Sequence, residues 1–282
     1  MPTMLLQTPQ DRYVQVGQIN TRYWTNGDKG TTVILLHGIG SSVETWTYNI
    51  SVLAQHHRVY AVDLVGAGRS DKPLVTYSLT YLAQFVLGFM DALSIECASL
   101  VGNSLGGGVA LQFALNFPRK VEKLVLVNSF GLGKEITLTL RLATLPFVGR
   151  LFSPSRSGTA LALKQSVYDA TLITNEWVEL YYQIATLPGV WSALLAIINT
   201  NINLFGVRPE VYNAIVDRLA TITAPTLVFW GQQDPILPVA HAAVATKELP
   251  SARLHIFDPC GHWSQVEHSE EFNTFVLEFL AN

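Results

Sequence analysis

The sequence is poor in charged residues and in cysteine. Only 14% of its 282 residues are charged, and the formal net charge at pH 7 is -3. Nucleic-acid binding and attachment to acidic membranes both need a dense basic patch, so this composition excludes both as the main function. The two cysteines, Cys97 and Cys260, lie far apart and form no CxxC pair. We therefore expect two free thiols in a reducing compartment.

Long apolar runs and metal-ligand clusters are also missing. No apolar run approaches the roughly 18 residues that a membrane span needs. The first twelve residues, MPTMLLQTPQDR, lack the basic region of a signal peptide, so we expect a soluble, cytoplasmic protein with no membrane span. No His/Cys/Asp/Glu cluster has metal-ligand spacing, and no glycine run completes a dinucleotide fingerprint. The sequence therefore predicts neither a metal nor a cofactor.

Apolar residues are abundant, at 49% of the chain, and they alternate between strand and helix patterns. Continuous runs of β-branched and aliphatic residues favour strands that are buried on both faces. Strand, helix, strand order predicts an α/β fold with a mostly parallel central sheet and helices on both faces. After an opening hairpin, the predicted strands are Thr32–Leu36, Arg58–Leu64, Ala98–Val101, Val121–Val127, Thr226–Trp230 and Arg253–Phe257. Predicted helices between them include Trp46–Gln55, Gly107–Phe117, Val239–Glu248 and Ser269–Leu280.

The alternation stops between residues 131 and 218. This part of the sequence has apolar helical stretches separated by prolines and shows no clear buried strand. We expect an α/β core formed by residues 1–130 and 219–282, with residues 131–218 inserted as a helical unit. The predicted helices of the insertion are Ile136–Leu145, Thr159–Tyr168, Glu176–Leu187, Val190–Thr200 and Val211–Leu219.

A candidate nucleophile lies in Gly102-Asn103-Ser104-Leu105-Gly106, which has the pattern GxSxG. A buried strand precedes the motif and a glycine-rich helix start follows it. In that context the serine lies on a tight strand-to-helix turn, where flanking side chains would collide with neighbouring backbone. The turn exposes the hydroxyl at a helix N-terminus, which favours developing negative charge. We interpret Ser104 as a catalytic nucleophile.

A serine nucleophile needs a base and a group that orients the base. His262 follows the last predicted strand, at the strand end where ligands bind in open parallel sheets. Asp234 follows the strand before it, and the order Ser104, Asp234, His262 is typical of an α/β-hydrolase triad. Asp258 is a rival acid, although it lies close to His262 in the sequence. The other histidines are interpreted as structural.

The oxyanion of an acyl-transfer intermediate needs two N–H donors. The first is expected from Leu105, directly after the nucleophile, and the second from the loop after Thr32–Leu36. That loop reads His37-Gly38-Ile39-Gly40, and we assign the second donor to the N–H of Ile39, with Gly38 beside the substrate.

The motifs LLHGIG, DLVGAGRSDKP, GNSLGG, WGQQDPILP and CGHWSQVEHSEEFN together resemble the α/β-hydrolase superfamily over almost the whole chain. Within it, GNSLGG and CGHWSQVEHSEEFN are most similar to the meta-cleavage product hydrolases. Those enzymes cut a carbon–carbon bond in vinylogous diketone acids. The resemblance implies a helical lid at 131–218 and substrate-binding roles for Asn103 and Trp263.

Two features differ from that family. Its glycine-proline-glycine loop is replaced here by Gly38-Ile39-Gly40, and the lid arginine that holds the substrate carboxylate has no counterpart near Tyr181. Without a guanidinium, a dianionic substrate is poorly held. The aromatic insertion, with Trp177 and Tyr181, indicates an uncharged hydrophobic small-molecule substrate, although packing within the lid is the more frequent role of any single aromatic residue.

Three functions follow from these observations. The first is a serine hydrolase of a small hydrophobic ester or related acyl compound. The second is a carbon–carbon bond hydrolase of the meta-cleavage product type, and the third is a small-ligand receptor on the same scaffold. The apolar insertion could pack on itself or on a second subunit, so a homo-oligomer also remains open.

Overall fold

The computed structural model describes residues 8–145 and 153–282. Eight strands form one sheet in the order β1-β2-β4-β3-β5-β6-β9-β10. β1 and β2 are antiparallel to their neighbours, and all other pairs are parallel. The predicted mostly parallel sheet is therefore confirmed. The strands are β1 (Arg12–Val16), β2 (Ile19–Asn26), β3 (Thr32–Leu36), β4 (Arg58–Val62), β5 (Ala98–Asn103), β6 (Val121–Val127), β9 (Thr226–Gly231) and β10 (Ala252–Phe257), with a separate pair β7 (Ile202–Asn203) and β8 (Gly206–Val207).

Helices cover both faces of the sheet and create two apolar cores. Alternate residues of β3 point to opposite sides, so that Ile34 and Leu36 join one core while Val33 and Leu35 join the other. The helices are α1 (Ile50–Leu53), α2 (Leu79–Ala92), α3 (Leu105–Asn116), α4 (Leu138–Leu142), α5 (Arg156–Gln165), α6 (Asn175–Ala185), α7 (Val190–Asn201), α8 (Pro209–Val216), α9 (His241–Glu248), α10 (Ser264–Glu267) and α11 (Ser269–Ala281). The first core contains apolar residues of α2, α3 and α9, and the second contains those of α1 and α11.

The register of the parallel strands brings their carboxyl ends to one edge of the sheet. Leu36 of β3 lies opposite Gly102 of β5, and Val127 of β6 lies opposite both Asn103 and Phe229. The loops that follow β3, β5, β6, β9 and β10 therefore begin side by side. Ligand sites in open parallel sheets form at this edge.

The predicted helix Trp46–Gln55 is wrong in its extent. The structure has a 3-10 turn at Val43–Trp46 and then the short α1. Asn49 separates the two, and its buried amide donates to the carbonyl oxygen of Gln265 at 3.0 Å and to Oδ1 of Asn273 at 2.9 Å. Asn49, the residue directly before α1, is thereby tied to α10 and α11.

Residues 131–218 contain helices α4 to α8, together with the two-residue strands β7 and β8. The sequence pattern indicated helices only, and two residues are too short for a strand pattern to be visible. Residues 1–7 and 146–152 of the predicted units, including most of the N-terminal stretch compared with a signal peptide, lie outside the described residues.

Among the described residues, no single helix has the length and apolarity to cross a membrane. Helices α6 and α7 pass that test only as a pair, and they are bent by 85° relative to each other.

A buried group of charges lies beneath the loop that follows β3. Arg22 of β2 is 2% exposed and donates to Glu44 at 2.9 Å, to Asp63 at 3.2 Å and to Asp11 at 2.6 Å. Arg69 binds the same Glu44 carboxylate at 2.7 Å. Burial alone would lower the pKa of Arg22, but the charges of Asp63 and Glu44 raise it above its ordinary value. The guanidinium therefore stays charged and neutralises two buried carboxylates.

Arg22→Leu should lower the free energy of unfolding by about 3–5 kcal/mol, because it leaves Asp63 buried without its cation and Glu44 with Arg69 alone. Urea denaturation monitored by fluorescence measures the change. Lys120→Leu is the control, since the Lys120–Asp91 pair is solvent-exposed at 3.6 Å and contributes about 1 kcal/mol or less. Equal stability losses in the two variants would contradict the structural importance of the buried network.

Candidate active site

Ser104 lies in a strained turn between β5 and α3. Its backbone has φ 54° and ψ -118°, a conformation that non-glycine residues adopt rarely. A Cβ on Gly106 would lie 2.2 Å from the carbonyl oxygen of Leu36, and one on Gly102 would lie 2.3 Å from that of Gly106. Only glycine fits at these two positions, as the GxSxG pattern predicts.

Two backbone N–H groups near Ser104 have no partner among the described residues. They are those of Leu105, at the first position of α3, and of Ile39, in the loop after β3. The N–H groups in the first turn of a helix have no acceptor within the helix. Leu105 and Ile39 both line the cavity that Ser104 faces. The structure thus brings together the three residues that the sequence analysis assigned to attack and to oxyanion binding.

His37 fixes the orientation of the loop that carries Ile39. Its Nε2 lies 3.0 Å from the N–H of Leu64, which can only donate, so Nε2 accepts and Nδ1 carries the proton. Nδ1 then donates to the carbonyl oxygen of Gly38 at 2.8 Å. Burial lowers the pKa of His37 below its ordinary value, which keeps the ring neutral. Because a trans peptide points its C=O and N–H in opposite directions, holding the Gly38 carbonyl also aims the N–H of Ile39.

Asp234 and His262 meet at the edge of the sheet. His262 Nδ1 lies 2.8 Å from Asp234 Oδ2, and both residues are buried. A carboxylate only accepts, so Nδ1 donates and Nε2 is left as the free acceptor of the ring. The other carboxylate oxygen, Oδ1, accepts from the N–H groups of Ile236 at 2.8 Å and Leu237 at 3.0 Å.

Asn128 is a site residue that the sequence analysis missed. It follows β6 with φ 46°, and its amide donates to Asp234 Oδ2 at 2.7 Å and to the carbonyl oxygen of Gly261 at 3.2 Å. Its own Oδ1 accepts from the hydroxyl of Ser264 at 2.8 Å. One amide therefore ties the loops of Asp234 and His262 together. Its position directly after a parallel strand was the available signal.

The rival acid Asp258 has a different partner. Its Oδ1 accepts from Nε2 of Gln233 at 2.7 Å. Two other histidines also make contacts away from Ser104: His241 binds Glu135 at 2.9 Å, and His255 packs against Phe257. These contacts fit the structural roles expected from the sequence.

The two cysteines are free. Cys260, next to the His262 loop, is fully buried, and burial raises the pKa of its thiol above its ordinary value. A thiol held in this way is poorly reactive.

Asn103, beside the nucleophile, acts on the backbone in this structure. Its amide donates to the carbonyl oxygens of Val127 and His262, each at 3.2 Å. A Cβ on Gly38 would lie 3.1 Å from both Asn103 Oδ1 and Ser104 Cβ, so the Gly38 backbone passes close to the nucleophile. Asn103 and Gly38 thus lie beside Ser104, and their predicted contact with substrate stays a prediction.

The cavity in front of Ser104 is apolar and narrow. The strand-end loops and helices α4 and α7 line it. The volume within which the centre of a water molecule fits is about 10 Å³. That is room for about one water. The lining residues are Ile39, Ser104, Leu105, Phe130, Ile136, Leu140, Ile197, Asn201 and Ile202.

The aromatic residues Trp177, Tyr181 and Trp263, predicted to bind substrate, do not belong to this lining set. Their rings pack on one another with centroids 5.6–6.0 Å apart. The Tyr181 hydroxyl is bound to Thr45 at 2.8 Å and to Ser41 at 3.0 Å. The three rings thus form a separate cluster, and the hydroxyl bonds of Tyr181 to Ser41 and Thr45 join α6 to the loop after β3.

The segment that follows α5 contacts the loop of His262 directly. The backbone N–H of His262 donates to the carbonyl oxygen of Ser166 at 3.0 Å. The Glu267 carboxylate accepts from the N–H of Tyr168 at 2.6 Å and from that of Gly261 at 2.8 Å. Ser166 is therefore bonded directly to the backbone of His262, and Tyr168 is linked to Gly261 through the Glu267 carboxylate.

A strained serine, two free N–H donors and a bonded Asp–His pair at the carboxyl edge of one sheet are the features of a known hydrolase fold. The model of the alpha/beta hydrolase fold family matches residues 31–269. The chain belongs to the α/β-hydrolase family. The resemblance inferred from the sequence motifs is thereby confirmed.

Several relatives of this α/β hydrolase are named hydrolases, and the chain is an enzyme of that class. It is 32% identical to a 2-hydroxy-6-oxo-6-phenylhexa-2,4-dienoate hydrolase of Burkholderia cepacia, with 99% of each chain covered. It is also 32% identical to a 2-hydroxymuconate semialdehyde hydrolase of Pseudomonas putida, covering 90% of this chain and 88% of that one. A solved meta-cleavage product hydrolase from Pseudomonas fluorescens IP01 superposes with a TM-score of 0.82 at 30% identity, covering 98% and 99%.

Gly106→Ala should lower the free energy of unfolding by about 1–3 kcal/mol or more, because the added methyl overlaps the Leu36 carbonyl. Thermal and urea unfolding measure the loss. Gly158→Ala is the control, since its methyl lies 3.0 Å from a single side-chain oxygen, that of Ser155, and alanine favours the helix. If Gly106→Ala were as stable as the control, the close packing of the turn would be disproved.

Proposed function

We propose that the chain hydrolyses small, uncharged, apolar carboxylic esters or related acyl compounds through a Ser104–His262–Asp234 triad. Ser104 Oγ attacks the carbonyl carbon and passes its proton to Nε2 of His262, while Asp234 stabilises the imidazolium. The N–H groups of Ile39 and Leu105 bind the oxyanion. His262 returns the proton to the leaving group, and water then releases the acyl group by the same route.

The observation that carries this proposal is the bonding of the Asp234 carboxylate. Three donors besides His262 reach it, from Asn128, Ile236 and Leu237. A buried carboxylate bonded in this way supports the imidazolium that forms in the reaction. The hydrogen bond to Nδ1 leaves Nε2 as the basic nitrogen that a serine nucleophile requires.

The cavity supports an uncharged substrate. The described lining residues carry no charged side chain, and seven of the nine are apolar. An anion buried there would lose its hydration without gaining a cation, which costs several kcal/mol. An ester with an apolar acyl group carries no charge and does not incur this cost.

Carbon–carbon bond hydrolysis is the second candidate, because relatives with nearly full coverage are named for dienoate and semialdehyde substrates. The same triad would then act on the ketone carbonyl of a vinylogous diketone, and the substrate carboxylate would need a cation. The described lining residues do not provide one.

Residues 131–218 are proposed to act as a lid over the core of residues 1–130 and 219–282. Helices α4 and α7 of this segment line the cavity, which has room for about one water. Substrate entry therefore requires these helices to move away from Ser104.

Ser104→Ala should lower kcat for p-nitrophenyl esters with short acyl chains by about 10³-fold or more, since the nucleophile is lost. The release of p-nitrophenolate measures hydrolysis. Ser129→Ala, a buried serine after β6, is the matched control, and its hydroxyl bonds only the carbonyl oxygen of Phe130 at 3.1 Å. Unchanged ester hydrolysis in Ser104→Ala would overturn the proposed nucleophile.

The same two proteins assayed with vinylogous dienoates separate the two candidate reactions. Loss of the visible absorbance of the dienoate, dependent on Ser104 and faster than ester hydrolysis, would favour the carbon–carbon reaction. Ester hydrolysis without dienoate turnover is the result we expect.

Asn128→Gly should lower kcat by about tenfold with little change in KM, because it removes one donor from the Asp234 carboxylate and leaves His262 less well oriented. Glycine is chosen because it tolerates the φ of 46°. Asn116→Gly, which removes an amide bonded only to Gln112, is the control. An unchanged kcat in Asn128→Gly, with the fold intact by circular dichroism, would show that Asn128 does not position the acid.

A further inference from the structure

Asn201, the last residue of α7, has a buried acceptor atom that the proposed mechanism does not use. The residue is 1% exposed and lines the cavity in front of Ser104. Its Nδ2 donates to the carbonyl oxygen of Tyr77 at 2.9 Å and to that of Ile197 at 2.8 Å. Its Oδ1 is buried and accepts no hydrogen bond from the described residues.

The orientation of the Asn201 amide follows from its partners. Both atoms that face Nδ2 are carbonyl oxygens, which accept and cannot donate. Exchanging Nδ2 and Oδ1 would place the amide oxygen against two other oxygens and lose both hydrogen bonds. The free atom of the side chain is therefore the acceptor Oδ1, and the bonds to Tyr77 and Ile197 fix its position.

The setting of Asn201 is otherwise apolar. Apart from Ser104, it is the only polar side chain among the described residues that line the cavity. A buried acceptor without a donor has lost its bond to water and gained none in return, which destabilises the empty site. A ligand that brings a donor to this atom removes that cost, whereas an alkyl chain that covers it leaves the cost in place.

We infer that Asn201 is a specificity-determining residue, and that the acyl group of the substrate carries an uncharged hydrogen-bond donor, a hydroxyl or an amide N–H, that binds Asn201 Oδ1. The reaction assumed in this inference rests on the proposed function. The recognition of the donor by Asn201 rests on the cavity alone. A site built to bind a hydroxyl discriminates strongly against an analogue that lacks it. Asn201 thus selects hydroxyacyl or amidoacyl compounds over plain alkyl compounds.

Binding is tested first, without hydrolysis. Matched pairs of methyl ketones, alkyl and hydroxyalkyl, are titrated by calorimetry into the Ser104→Ala variant, with the hydroxyl moved one carbon at a time along the chain. At one hydroxyl position the hydroxy ketone should bind about tenfold more tightly than the alkyl ketone. The preference should disappear in Ser104→Ala/Asn201→Leu. No preference at any position would overturn the inference, whatever the enzyme hydrolyses.

Kinetics provides the second measurement. The ratio of kcat/KM for the matched hydroxyacyl and acyl p-nitrophenyl esters should fall about tenfold in Asn201→Leu. Ile202→Val, a neighbouring lining residue without a polar group, should leave that ratio unchanged. Asn201→Asp should retain the preference, because a buried carboxylic acid stays protonated, donates to Tyr77 and keeps an acceptor. If Asn201→Leu does not fold, Asn201→Ala takes its place.

The outcomes separate this inference from the proposed function. Ester hydrolysis that depends on Ser104, with a ratio unaffected at residue 201, would overturn the inference and leave the hydrolase proposal intact. The opposite outcome is a hydroxyl preference in the binding assay that depends on Asn201, together with no ester hydrolysis. That outcome would support the inference and overturn the hydrolase proposal.

Discussion

The absence of a side chain at Gly102 and Gly106 is the constraint on which the site depends. It allows the start of α3 to pack against β3 and β5, at distances where a Cβ would lie 2.2–2.3 Å from backbone oxygens. That packing forces Ser104 into its strained conformation, with φ 54°. It also places Leu105 beside the same cavity as Ile39 of the loop after β3. The positions of the proposed nucleophile and of one proposed oxyanion donor are therefore consequences of one close contact between a helix and a sheet.

Buried polar side chains hold the loops around Ser104 in place. Arg22 and its carboxylate partners lie beneath the loop after β3, and His37 holds the Gly38 carbonyl above them. On the other side of Ser104, Asn128 joins the loops of Asp234 and His262. The strands determine where each loop begins, and these side chains determine the path that the loop then takes. Removing one member of such a network leaves its buried partners without a hydrogen bond, so the arrangement of the loops depends on each of these side chains.

The sequence predicted the residues that chain order and strand ends determine. Ser104, Asp234 and His262 each follow a predicted strand, and the parallel sheet brings such positions to one edge. The contacts of Asn128 could not be predicted, because they depend on which loop lies next to which. Trp177 and Tyr181 were assigned to the substrate because they are aromatic and lie in the insertion. Their spacing shows that they share one face of the helix, but it does not show what this face contacts. In the structure both rings pack against Trp263.

The chain and its relatives share a fold, so a difference in substrate would arise from the residues that line the site. Relatives are named for dienoates and semialdehydes, compounds whose acid group needs a cation. The described lining of this cavity has instead the apolar side chains of α4 and α7 and the acceptor Oδ1 of Asn201. An acceptor repels a carboxylate and attracts a neutral donor. Among the described residues that line the cavity, Oδ1 of Asn201 is the one buried side-chain atom without a hydrogen-bond partner, and its polarity argues for a neutral substrate independently of the missing positive charge.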